Sequence, residues 1–111
     1  MSPDSPATPA TPYLGESQAP TRADAEAMPG LVLLEFGTAW CGHCQAAQAV
    51  IGEALRQHSE WRHIKVEDGP GRALGRSFRV KLWPTLVLLR DGQEVARAVR
   101  PTQVADIFTD E

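Results

Sequence analysis

An apolar run, Leu31-Val32-Leu33-Leu34-Glu35-Phe36, leads through Gly37-Thr38-Ala39 into Trp40-Cys41-Gly42-His43-Cys44, and a proline-free, alanine-rich stretch follows to about Ser59. Six residues, five apolar and one acid, fit a strand buried on both faces, as in the middle of a parallel or mixed sheet. After the motif, Ala47, Val50, Ile51, Ala54 and Leu55 recur at helical spacing, so one helix face turns inward. A strand feeding a helix whose first turn carries two thiols is therefore the frame of the fold. Cys41 and Cys44 are the only two cysteines. They have no other partner, and at this spacing they can close a disulfide within one helical turn. The thiolate is the reactive form, and a helix N-terminus favours it. Cys41 is thus the expected attacking nucleophile, and Cys44, one turn in and more buried, the resolving thiol.

The rest of the chain supplies further elements. Residues 22–28 are helix formers stopped by Pro29-Gly30. His63–Glu67 alternates as a strand, a short helix is expected around 72–78, and Thr85–Leu89 reads as another strand. Asp91-Gly92 signals a hairpin turn that returns the chain as Glu94–Val99. Thr102–Phe108 reads as a short closing helix with Thr102 as its cap. The element order predicts an α/β architecture with a central mixed sheet of about four strands flanked by helices. Five of the nine prolines fall within residues 1–20, with Ser, Thr and Ala between them. Such a segment buries too little apolar surface to offset its ordering entropy, so residues 1–21 are expected to form a disordered tail and 22–111 the domain.

A net charge of −3, with no long run of either sign, gives no reason to expect a nucleic-acid or membrane-surface partner. No segment approaches the roughly 18 apolar residues needed to span a bilayer. No basic region followed by an apolar core marks a signal peptide. Two cysteines in one tight motif suit a reducing compartment. The expectation is a cytoplasmic monomer, or a periplasmic or exported one if a leader precedes the chain.

With these residues in view, the chain resembles the thioredoxin family. The resemblance rests on Glu35-Phe36, Ala39-Trp40-Cys41-Gly42-His43-Cys44, Trp83-Pro84-Thr85-Leu86 and Asp91-Gly92, and spans roughly residues 31–108. It implies a thioredoxin-like fold and a thiol–disulfide oxidoreductase working on protein disulfides through a mixed disulfide, with a separate reductase or oxidant to recycle it. No cofactor is implied beyond the redox-active Cys41–Cys44 pair. By the same resemblance, Pro84 is the family's cis-proline, and the backbone of Trp83 pairs with the substrate chain. Glu35 stands where thioredoxins carry a buried aspartate, and it is expected to act as general base for Cys44 through a water. Lys65 is its expected charge partner if strand 63–67 lies beside strand 31–36. Trp40 and Trp83 are expected on an exposed apolar docking surface.

Between the cysteines, Gly42-His43 resembles protein disulfide isomerase domains more than the Gly-Pro common in thioredoxins. A protonated or dipolar His43 favours the thiolate, hence the reduced form and a more oxidising couple. Other departures are Gly37 where thioredoxins usually carry tryptophan and Ala49 near the proline that kinks the helix. Arg100 stands where a glycine usually admits the substrate backbone, and it would narrow or recharge the docking surface.

Two other readings stay open on the residues alone. Cys41-x2-Cys44-x13-His58-x4-His63 matches the spacing of a Cys2His2 zinc site, although a helix begins at the cysteines and a strand at His63. A non-catalytic module could bind a protein through the Pro-rich tail or Trp40 and Trp83, though it has no physical need for both thiols. Outside any site, His58 and His63 are expected at the surface and Trp61 in packing.

Overall fold

The protein is described by a computed structural model over residues 11–108. Its elements are α1 (Arg22–Glu26), β1 (Leu31–Gly37), α2 (Gly42–Gln57), β2 (Arg62–Glu67), α3 (Ala73–Ser77), β3 (Thr85–Arg90) and β4 (Gln93–Val99), closed by a 3-10 turn at Val104–Asp106. The sheet order is β2-β1-β3-β4. β1 runs parallel to β2 and antiparallel to β3, and β4 pairs antiparallel with β3. The expected four-stranded mixed sheet is thus present.

Period-2 alternation along the strands divides the core into two layers. Val32, Leu34 and Phe36 of β1 join Ile64, Val66, Val87 and Leu89 beneath α1 and α3. Leu33 joins Leu86 and Leu88 on the opposite face, against Ala47, Ile51 and Ala54 of α2. Burying a side chain such as Ile51 contributes about 2 kcal/mol. The same alternation turns Glu35 and Gly37 toward the α2 face, together with His63, Lys65 and Glu67 of β2. The function-bearing side chains thus share one side of the sheet because each lies an even number of residues from a neighbour on that side.

α1 is held by a reciprocal capping box, in which Asp24 N donates to Thr21 Oγ1 and Thr21 N donates to Asp24 Oδ2, each at 3.0 Å. The β3–β4 turn takes the positive φ values that Asp91 and Gly92 tolerate, 50° and 83°.

Two expectations are corrected here. Residues 1–10 of the expected tail lie outside the described residues, but residues 11–20 do not stand apart from the domain. Leu14 forms a parallel bridge to Val66, with Leu14 N donating to Lys65 O at 2.8 Å and Glu67 N donating to Leu14 O at 3.0 Å. The packed chain therefore begins before residue 22. The proline content concealed one apolar pair, Tyr13-Leu14, that satisfies the free edge of β2. The closing helix at 102–108 is instead a single 3-10 turn. Thr102 is not its cap: Thr102 N and Oγ1 both donate to Asp106 Oδ2, at 2.9 and 3.2 Å. Ile107 and Phe108 enter the core directly, Phe108 against His58 and Trp61. A longer helix would carry those side chains away from it.

Candidate active site

β1 ends at Gly37 and α2 begins at Gly42, with Cys41 as the N-cap residue in an extended conformation (φ −80°, ψ 122°). Cys44 N donates to Cys41 Sγ at 3.2 Å, so the sulfur does what a serine oxygen does at other helix starts. The two thiols are free, and Cys41 retains 8% exposure against 1% for Cys44. Burial pushes the Cys44 thiol up to about 11, helped by its hydrogen bond with Cys41 and opposed by the Thr38 backbone and the Tyr13 hydroxyl. The pair is thus graded, the inner thiol protonated and the outer one nearer solvent.

Glu35 is fully buried beneath the active-site helix. Its Oε2 accepts from Tyr13 Oη at 2.9 Å and from Gln48 Nε2 at 2.8 Å, and its Oε1 lies 2.8 Å from His63 Nε2. A carboxylate only accepts, so the His63 contact requires a proton on Nε2. Burial pushes the Glu35 carboxyl up, but hydrogen bonds from His63 and Gln48 outweigh it and hold the group below the usual carboxylate range. Lys65 is also buried and sits level with Glu35 in the β1–β2 register. Its charge helps lower the Glu35 carboxyl, as a charge partner does, but it does not touch the carboxylate. Its Nζ donates to Gln48 Oε1 at 3.1 Å and lies 4.3 Å from the centre of the Tyr13 ring. Lys65 reaches the acid through Gln48 and through its field. The direct contact belongs to His63, which was expected at the surface. His63 and Lys65 are two residues apart on one strand face, and the shorter imidazole meets the carboxylate.

Within the site, Gly37 leaves no room for a larger residue. A Cβ there would sit 2.5 Å from Cys44 Sγ and 3.2 Å from Tyr13 Oη. The space that a larger residue would fill is shared by the inner thiol and the phenol. Burial and the neighbouring carboxylate push the Tyr13 phenol well above its ordinary value, so it stays neutral and able to donate.

On the rim, Trp40 is 72% exposed and meets Trp83 edge-to-face with ring centroids 5.7 Å apart. Trp83 Nε1 donates to Asp68 Oδ2 at 2.9 Å, which fixes the indole. The Trp83–Pro84 peptide is cis, and Pro84 is buried. Arg100 adopts φ 50°, a left-handed conformation suited to glycine. Its N donates to Pro84 O at 2.9 Å and its Nε to Trp83 O at 2.8 Å, so the Trp83 carbonyl already carries one hydrogen bond. Gly42 and His43 occupy the exposed first turn of α2, and His43 lines a groove of about 420 Å³ with Arg100, Pro101 and Val50.

The four residues of the zinc spacing are separated. Cys41 and His58 cap opposite ends of the 16-residue α2, roughly 24 Å apart by helical rise, and His63 is bonded to Glu35. One ion cannot bind them all.

Comparison with known proteins agrees with this geometry. The family model described as thioredoxin matches residues 21–110. The chain belongs to the thioredoxin family. It is similar to thioredoxin 2 from Pseudomonas aeruginosa PAO1, solved in its reduced form, with 55% identity and a TM-score of 0.77 over 88% of this chain and 89% of that one. It is 33% identical to thioredoxin Asp f 28 of Aspergillus fumigatus over 70 residues, 63% of this chain and 65% of that protein. It is 35% identical to rice thioredoxin H2-1 over 69 residues, 62% of this chain and 50% of that protein. The matched region thus spans less than two thirds of these two relatives. The family resemblance pointed to Glu35, the cysteines and Pro84. Tyr13, Gln48, His63 and Asp68 emerged only from the structure. Of these, Gln48 was legible in principle, since it lies one helical turn after Cys44.

Proposed function

We propose that this chain is a thiol–disulfide oxidoreductase acting on protein disulfides. The observation that carries the reading is the graded pair: Cys41 Sγ capping α2 at 3.2 Å from the Cys44 amide, with Cys44 buried behind it. Cys41 thiolate attacks a substrate disulfide. A Cys41–substrate S–S bond forms, the substrate S–S bond breaks, and one substrate sulfur leaves as thiolate and takes a proton from water. Cys44 then loses its proton with help from Glu35 and attacks Cys41 Sγ. The Cys41–Cys44 bond forms as the mixed disulfide breaks, and the second substrate sulfur departs with the electron pair and is protonated. The substrate has gained two electrons and the protein holds a disulfide, which a separate dithiol reductant resets. Run backward, the same steps oxidise a substrate dithiol. Trp40, Trp83 and Pro84 form the docking surface, with Arg100 at its edge, and the setting we propose is a reducing compartment.

Insulin reduction under a dithiol reductant tests this. Cys41→Ser abolishes turnover, and Cys44→Ser accumulates a mixed disulfide visible by mass. Full turnover by Cys41→Ser sinks the assignment.

A further inference from the structure

Tyr13 is the chain's one tyrosine, and it comes from the proline-rich segment that precedes the domain. The Leu14–Val66 bridge fixes its backbone, and the Lys65 ammonium lies over its ring. Its hydroxyl donates to Glu35 Oε2 at 2.9 Å and shares with Cys44 Sγ the space above Gly37. The phenol oxygen therefore stands between the carboxylate and the inner thiol. Tyr13 and Cys44 also line one cavity of about 360 Å³ with Thr38, Gln48 and Lys65.

We propose that the Tyr13 hydroxyl is the proton relay between Cys44 and Glu35 in the resolving step, so the N-terminal segment completes the active site. This rests on the oxidoreductase reading and replaces the water expected between acid and thiol. The Cys44 proton moves to Tyr13 Oη while the Tyr13 proton moves to Glu35 Oε2. The freed sulfur electron pair forms the Cys41–Cys44 bond, and the Cys41–substrate bond breaks toward the substrate sulfur. Glu35 later returns its proton through Tyr13 to solvent, balancing the proton taken up by the departing thiolate.

The chemistry favours a standing path over a diffusing acceptor. Cys44 is a weak acid and Glu35, held by His63 and Gln48, a weak base. A free thiolate does not build up between them, so transfer has to accompany sulfur attack. A preplaced hydroxyl allows that without waiting for water to enter. With its donor turned to the sulfur, it also supports the developing thiolate, while Glu35 keeps its other two partners.

Tyr13→Phe keeps the ring, its contact with Lys65 and the Leu14 bridge, and removes only the hydroxyl. Formation and decay of the mixed disulfide with a disulfide peptide are followed separately by rapid quench and mass, in the full chain, from pH 6 to 9. We expect formation at the parent rate and decay slowed by about 10²-fold, the low end of acid–base assistance. We also expect decay to rise more steeply with pH as hydroxide takes over. The groups facing Cys44 and its relay are Cys41, Glu35, His63, Lys65 and Glu67, all unchanged in the variant. In a Glu35→Ala background, Tyr13→Phe should add no further slowing, because the two act as one path. Decay at the parent rate with the parent pH profile overturns the relay and leaves the oxidoreductase reading standing. Equal slowing of both steps also overturns it, since a packing defect does that. No mixed disulfide even in the parent chain overturns both readings.

Discussion

His63 Nε2 lies 2.8 Å from Glu35 Oε1, and this contact, rather than one from Lys65, is the direct histidine or lysine partner of the buried carboxylate. Replacing it leaves a charged oxygen short of a donor in a dry site. His63→Ala should cost about 1–3 kcal/mol, read as a shift of the urea midpoint at pH 7. The sign of the pH dependence follows from Glu35, whose folded carboxyl lies below its ordinary value. Its contribution is fully present above the unfolded value near ~4.3 and is lost as pH falls through the folded one. The parent should therefore lose more stability than His63→Ala as pH falls below ~4.3. Equal losses would show that His63 does not hold the acid.

Glu35→Ala removes the proton acceptor proposed for Cys44. Decay of the mixed disulfide should slow by about 10²-fold, with Cys41's first attack unaltered. Single-turnover quench separates the two steps. An unchanged decay rate would remove Glu35 from the resolving step.

Arg100 holds φ 50° and covers the Trp83 carbonyl through its Nε. Arg100→Gly relieves a left-handed residue of roughly 1 kcal/mol and loses an exposed hydrogen bond, so net stability should change little. The carbonyl becomes free to pair with a substrate strand. KM for a disulfide peptide should fall while kcat holds, and an unchanged KM would mean that Arg100 does not shape the docking surface.

His43 sits on the exposed first turn of α2, where proline is tolerated. His43→Pro removes the group proposed to favour the thiolate, so the couple should become more reducing by tens of millivolts, where ~30 mV is a 1.4 kcal/mol difference. Equilibration of Cys41–Cys44 against glutathione measures it. A potential equal to the parent's would assign His43 to solvent alone.

Local pattern carried the elements that have strong local causes. Leu31–Phe36 and the alanine-rich stretch after the cysteines became β1 and α2 because hydrophobic period and the absence of proline decide such segments. Asp91-Gly92 formed the hairpin turn because few pairs accept two positive φ values. The closing segment misled because seven residues carry too little helical preference to outweigh the core positions of Ile107 and Phe108.

The sequence by itself determined the strand–Cys-x-x-Cys–helix frame and the grading of the two thiols, since both follow from residues within one turn of each other. It also placed an acid on the buried strand. Tertiary structure alone decided who meets that acid. Glu35, Gln48, His63 and Tyr13 converge from β1, α2, β2 and the N-terminal segment, and no local pattern encodes a distance between them. Hydrogen-bond reach is a matter of ångströms. The β1–β2 register and the Leu14 bridge set those ångströms, and so put histidine and tyrosine at the carboxylate.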